Sequence, residues 1–186
     1  MSYNKENTSE KQHQSDLRYL RMATIWAENS YCRRRKVGAL IVKDQMIISD
    51  GYNGTPSGFE NVCEDESGMT KPYVLHAEAN AITKVSRSNN SSEGATLYVT
   101  SSPCLECSKL IIQAGIRRVV YSENYRLHDG IDLLERAGIE CVHVSIEQSC
   151  WPGRKWCFTA LVIMVRYGRR QVSIVGKSYT IKTYNI

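Results

Sequence analysis

No acidic residue stands beyond Glu147 in this chain of 186 residues. Seven of its 24 basic residues do (Arg154, Lys155, Arg166, Arg169, Arg170, Lys177 and Lys182), which leaves residues 1–147 with 17 basic against 19 acidic side chains. The net charge of +5 therefore belongs to the end of the chain, and the body is slightly acidic. A weakly negative body repels a long phosphate backbone, so a small molecule is the expected partner, with nucleic acid confined to whatever the basic tail binds. Long apolar runs are missing too. The longest, residues 157–165, is too short to cross a bilayer, so no membrane is expected. The polar opening MSYNKENTSEKQHQS lacks the apolar segment of a secretory signal, which makes the cytoplasm the expected compartment. In such a chain seven cysteines read as metal ligands or small buried hydrophobes rather than as a disulfide frame.

The length suits one domain with terminal additions: residues 1–14 as a disordered extension, 15–148 as the folded domain, and 149–186 as a basic tail of unassigned role. Apolar residues at helical spacing after Ser15-Asp16 predict a helix over 15–29. Two apolar, partly β-branched runs at 37–42 and 46–49 read as a hairpin turning at Lys43-Asp44-Gln45. A long loop rich in Gly, Pro, Asn and Ser follows over 51–71, and loops of that length in a compact domain are usually functional or disordered. Helices at 76–87, 103–114 and 129–137 then alternate with strands at 95–100, 117–121 and 140–145. Alternation of that kind implies crossover connections and parallel pairing. The expected fold is a three-layer α/β/α sandwich around a five-stranded mixed sheet led by a hairpin. Residues 149–186 break this pattern, holding two of the three Trp and strand-like runs at 158–165 and 171–175, and read as an appended β-rich or poorly ordered segment.

The chemistry sits in two short motifs. His76-Ala77-Glu78 is followed, after an interval of 25 residues, by Pro103-Cys104-Leu105-Glu106-Cys107, the H-x-E and P-C-x-x-C pattern of zinc deaminases. One imidazole and two thiolates make three good zinc ligands, and three ligands leave the fourth tetrahedral position for water, as in a catalytic site. A closed structural site would need a second C-x-x-C, and the chain has none. Both motifs fall at predicted helix starts, with Ser102 as the expected N-cap of the second, and helix N-termini favour thiolate over thiol. His76 and Glu78, two residues apart, do not share a helix face but can both reach a site lying over the helix end. Glu78 is the expected proton carrier, moving protons between the attacking water, ring N3 and the departing amino nitrogen of a cytosine.

Across residues 16–146 the chain resembles the deoxycytidylate (dCMP) deaminases of the cytidine deaminase superfamily. The resemblance is carried by Val37-Gly38-Ala39, Gly51-Tyr52-Asn53-Gly54, His76-Ala77-Glu78-Ala79-Asn80-Ala81, Tyr98-Val99-Thr100 and Ser102-Pro103-Cys104-Leu105-Glu106-Cys107. It implies one catalytic Zn²⁺ per chain and conversion of dCMP to dUMP, the precursor of dTMP, with release of ammonia. It also implies a contact from Asn53 to the deoxyribose 3′-hydroxyl, and places Arg34, Tyr125 and Arg126 near the substrate, with Arg87 a weaker candidate about 16 Å along the helix axis from His76. Members of that family are often homo-oligomers switched on by dCTP and off by dTTP, which makes a homo-oligomer the expected assembly and names those nucleotides with Mg²⁺ as candidate effectors. Some relatives carry a second, structural zinc; Cys32 matches one of its ligands, but no His lies between His13 and His76 to complete the set, and no second site is expected. The same frame serves deaminases of tRNA adenosine, guanine and pterin-like bases, and a non-catalytic zinc-stabilised nucleic-acid-binding module stays open as a further alternative.

Overall fold

The structure is a computed structural model, and it describes residues 3–125 and 128–146. Helix α1 (Tyr3–Ala27) leads into the hairpin β1 (Gly38–Lys43) and β2 (Met46–Tyr52). The elements α2 (Ala77–Val85), β3 (Thr96–Ser101), α3 (Leu105–Gln113), β4 (Arg118–Glu123), α4 (Asp129–Arg136) and β5 (Glu140–His143) then alternate. The strands form one sheet in the order β2-β1-β3-β4-β5. β1 is antiparallel to both β2 and β3, while β3, β4 and β5 run parallel, so the sheet is mixed and hairpin-led as the pattern predicts.

Alternation along each strand divides the core in two, because successive side chains leave a strand on opposite faces. Ala39, Ile41, Leu97, Val99, Val119 and Tyr121 pack with Ala77, Ala81, Ile111 and Leu134 from α2, α3 and α4. Leu40, Val42, Tyr98 and Val120 face the other way and meet Leu20 and Ala23 of α1. Three layers result, with one helix below the sheet and three above. Two glycines set how closely the layers meet: a Cβ on Gly38 would lie 2.0 Å from the Ala23 carbonyl oxygen, and one on Gly51 would lie 2.1 Å from that of Ala77. The hairpin turns on Asp44 and Gln45, whose φ angles of 50° and 63° are those of a two-residue turn with the right-handed twist of its strands.

Helix α1 does not begin at Ser15, and the expected disordered extension over 1–14 is replaced from Tyr3 onward by helix. Its early turns carry i,i+4 side-chain bonds from Gln14 to Glu10 and from Gln12 to Asp16, both 2.9 Å. Residues 8–14 are nonetheless exposed, so packing begins where the sequence pattern places the helix start. The anchor there is Asp16, buried beneath the sheet. Arg118 of β4 donates to both its oxygens at 2.8 Å, and Tyr98 Oη donates at 2.9 Å. Burial alone would raise the Asp16 pKa, but the hydrogen bonds from Arg118, Gln12 and Tyr98 outweigh it and hold the carboxyl below its usual range.

The disulfide expectation also needs correction. Cys32 and Cys63 are bonded to each other, with an S–S distance of 2.09 Å and Cα atoms 5.1 Å apart. The loop after β2 folds back so that Glu64 accepts the backbone N–H groups of Arg33 and Arg34 at 2.8 and 3.1 Å, which brings the two thiols together. No helix among the described residues is long and apolar enough to cross a membrane. The expectations for 149–186 lie outside the described residues.

Candidate active site

Two helix starts meet above the sheet. His76 occupies the N-cap of α2 and Cys104 that of α3, both with extended backbone, and Cys107 follows in the first turn of α3. Ser102, expected as that cap, instead accepts the backbone N–H of Tyr125 through its Oγ at 2.7 Å. The cap position falls to Cys104 because Ser102 and Pro103 are used in leading the chain out of β3. Gly130 at the start of α4 packs on the same stretch, where a Cβ would lie 2.1 Å from the Pro103 carbonyl oxygen.

His76 Nδ1 lies 3.4 Å from Cys104 Sγ and 3.4 Å from Cys107 Sγ. The three ligand atoms fall within 4.8 Å of one another, and this is the sole cluster of its kind among the described residues. The set fits zinc. Bonds of about 2.3 Å to sulfur and about 2.0–2.1 Å to nitrogen, held at tetrahedral angles, require N···S edges of roughly 3.5 Å. Hydrogen bonds from Cys107 and His76 hold the Cys104 thiol down to about 3, so it is a thiolate at neutral pH, while the bond to Cys104 and burial push Cys107 up.

Glu78 stands in the first turn of α2 and is only 4% exposed. Burial pushes its carboxyl up to about 7, against a smaller opposing effect of its own backbone N–H and the His76 charge. A carboxyl poised there can hold or release a proton at neutral pH, the property that general acid–base work needs.

His76, Cys104 and Glu78 line one part of a cleft of about 280 Å³, with Cys107 buried behind them. Its other wall comes from the α1–β1 connection and the loop after β2. Asn53 braces that wall: its Oδ1 accepts the Val37 N–H at 2.8 Å and its Nδ2 donates to the Arg35 carbonyl at 2.9 Å. Arg34 also lines the cleft, with Nη1 3.4 Å from Thr70 Oγ1, and so does the half-exposed Tyr125. Arg87 lies beyond the end of α2 and does not line the cleft, and Arg126 lies outside the described residues. Among the charged lining residues, two are absent from the sequence reading, Arg35 and Glu64. Arg35 carries a signal, since it stands in the same Cys32-Arg33-Arg34-Arg35 run as Arg34. Glu64 carries none, because a carboxylate in an acidic loop reads as solvated surface.

Residues 13–123 match the family model of the cytidine and deoxycytidylate deaminase zinc-binding region. The chain is 43% identical over 117 residues to the deoxycytidylate deaminase of Mycobacterium phage D29, covering 55% of this chain and 90% of that one. To the deoxycytidylate deaminase of Enterobacteria phage T4 it is 36% identical over 168 residues, covering 67% of this chain and 87% of that one. Among solved structures, the dCMP deaminase of cyanophage S-TIM5 in complex with dCMP and dUMP superposes with a TM-score of 0.67 at 48% identity, over 68% of this chain and 93% of that one. With its two motifs seated on helix starts around one ligand set, and with the match running from the middle of α1 to the end of β4, this chain belongs to the cytidine and deoxycytidylate deaminase family.

Proposed function

We propose that this chain hydrolyses dCMP to dUMP and ammonia. The observation that carries the reading is the buried Glu78 beside the His76, Cys104 and Cys107 ligand set, in a cleft of nucleotide size whose far wall bears arginines. When bound by those three residues, zinc supplies a Lewis acid that brings the pKa of a water in its open position toward neutrality. Glu78 takes a proton from the attacking water and delivers it to ring N3 as the new bond forms at C4. It then passes a proton to the departing amino nitrogen, so that water is consumed, the C4–N bond breaks, and dUMP and ammonia leave. A carboxyl near pH 7 serves both directions of that transfer.

At the other end of the cleft, Asn53 retains one N–H and a carbonyl lone pair beyond its backbone partners and meets the deoxyribose 3′-hydroxyl. Arg34 supplies positive charge, and Tyr125 closes over sugar and base. The same reading assigns Arg126 to the substrate. It includes a homo-oligomer answering to dCTP and dTTP with Mg²⁺, properties that follow from family resemblance, and a cytoplasmic location, which rests on the polar opening segment.

Turnover of dCMP, CMP, dCTP, deoxycytidine and a tRNA anticodon loop, with metal analysis on the same sample, tests the substrate. Preferential ammonia release from dCMP by zinc-loaded protein is the expected result. Release from none of them, or inosine formation in the RNA, overturns the reading. Sedimentation with and without dCTP and dTTP tests the assembly and the effectors.

A further inference from the structure

Three arginines stand in a row at 33–35, and the fold uses each differently. Arg33 borders a neighbouring hollow beyond the cleft. Arg34 lines the cleft, its guanidinium against Thr70. Arg35 lines it too, but its Nη2 is held 2.5 Å from Glu123 Oε2, and its guanidinium carbon sits 5.9 Å from the centre of the Tyr125 ring. Its backbone is fixed independently, through the Asn53 amide on the Arg35 carbonyl.

Glu123 ends β4, and its carbonyl accepts the Ser102 N–H at 2.8 Å, two residues before the ligand Cys104. A short, rigid piece of chain therefore relates the Arg35 guanidinium to the metal-binding end of the cleft. The Glu123 side chain is 68% exposed and is not part of the cleft lining. An exposed pair of this kind is weak and easily exchanged. A phosphate monoester offers the same planar fork a better partner, with more oxygens and a charge of about −1.5 to −2 where a carboxylate has −1.

We infer that Arg35 binds the phosphate of the substrate, and that Glu123 is a positioning residue that holds the guanidinium toward the cleft until the phosphate displaces it. The inference rests on the dCMP reading and deepens it. A nucleoside, lacking phosphate, leaves Arg35 on Glu123 and gains nothing from it; a nucleoside monophosphate makes the exchange. The pair thus acts as a test for the 5′-phosphate, and Tyr125, another lining residue, lies within cation–π distance of the same guanidinium.

The experiment compares the wild-type protein, Arg35→Gln and Glu123→Gln, all zinc-loaded. It measures kcat and KM for dCMP and the inhibition constants of dUMP and deoxyuridine, which differ only in the phosphate. Arg35→Gln is expected to raise KM and the dUMP inhibition constant roughly 10- to 100-fold, the loss of a charge-assisted hydrogen-bond pair, while deoxyuridine inhibition moves less than about 3-fold. Glu123→Gln removes the competitor and is expected to lower the dUMP constant a few-fold while the deoxyuridine constant stays where it was. A shift of dUMP and deoxyuridine together in Arg35→Gln, or no shift of either, overturns the inference. So does a dUMP constant that rises or stays fixed in Glu123→Gln, a measurement that stands even where Arg35→Gln fails to fold. Failure of the wild-type protein to deaminate dCMP is a different result and would remove the substrate reading itself.

Discussion

The two ends of the cleft are built in different ways. At the metal-binding end, residues of two short motifs are delivered by helix starts, and each group owes its position to an N-cap or a first helical turn. The wall proposed for recognition is assembled from the α1–β1 connection, the loop after β2 and the segment after β4, joined by Glu64, Asn53, the Cys32–Cys63 bond and the Arg35–Glu123 pair. Chemistry that needs fixed angles rests on helices, and recognition rests on loops tied to them. Damage at the first end should therefore strike metal or turnover. Damage at the second should strike stability and substrate affinity while metal stays bound.

The largest effect belongs to the ligands. Cys107→Ser is expected to lose its zinc and, with it, activity to background, together with a fall in Tm, because the ion ties α2 to α3. Metal analysis beside a thermal melt reads both, and a variant that keeps full zinc and activity would break the assignment. Glu78→Gln comes next. It should keep zinc and fold while kcat drops by about 10²- to 10⁴-fold, the range for removing one proton-transfer group. A kcat within a few-fold of wild type would move the proton-transfer role to another group.

On the wall side the largest expected loss is in stability. Asp16 anchors α1, the helix that leads into the Cys32 to Arg35 segment, and its pKa lies below the unfolded value. A depressed carboxyl contributes stability that is fully present above the unfolded pKa and is lost as pH falls through the folded one. Asp16→Asn should cost about 3 kcal/mol near neutrality, the low end for stranding a buried charge, because Arg118 keeps Glu140 at 3.2 Å. Its stability should also fall less steeply than that of the wild type as the solution is acidified below the usual carboxylate range. Urea melts at pH 7 and at about pH 2.5, below the ordinary Asp pKa, measure both. Equal slopes in the two proteins would show that other carboxyls carry the acid sensitivity, and zinc content at pH 7 should match that of the wild type.

The same contrast governs what could be read from the sequence. His76, Glu78, Cys104 and Cys107 are legible because their geometry is local: the residue types and spacings suffice once a helix starts at each motif. The sheet order is legible for a similar reason, since a hairpin followed by strand–helix alternation leaves few arrangements. The wall was read less completely. Resemblance alone assigns Arg34, Asn53 and Tyr125 to the substrate, and all three line the cleft, but the role of Asn53 as a brace for residues 35–37 depends on contacts 16 and 18 residues away. Cys32–Cys63 spans 31 residues and Glu64 reaches Arg33 across the same separation, so no periodicity records either. The long start of α1 was missed because its exposed turns carry no apolar stripe, only i,i+4 polar pairs.

The smallest expected effect sharpens the comparison from inside the wall. Lys71 bonds the Glu60 carboxylate at 2.8 Å and lies 5.7 Å from the centre of the Tyr73 ring, while Phe59 packs on Tyr73 at 5.4 Å. The hydrogen bond from Lys71, aided by the Glu60 backbone and Tyr73, pushes the Glu60 carboxyl down to about 2, a shift that on its face argues for a strong clamp on the loop. Its side chain is 57% exposed, however, and water and salt screen such a pair. Lys71→Met should therefore move Tm by no more than about 2 °C and leave kcat for dCMP unaltered, and its melting temperature should respond no more to 0.5 M salt than that of the wild type. A larger loss would mean that the loop is held from its exposed side, through Lys71, rather than from its buried side, where Cys63 is bonded to Cys32 and Glu64 caps the Arg33 and Arg34 amides. Differential scanning calorimetry of the two proteins at low and high salt decides between those anchorages.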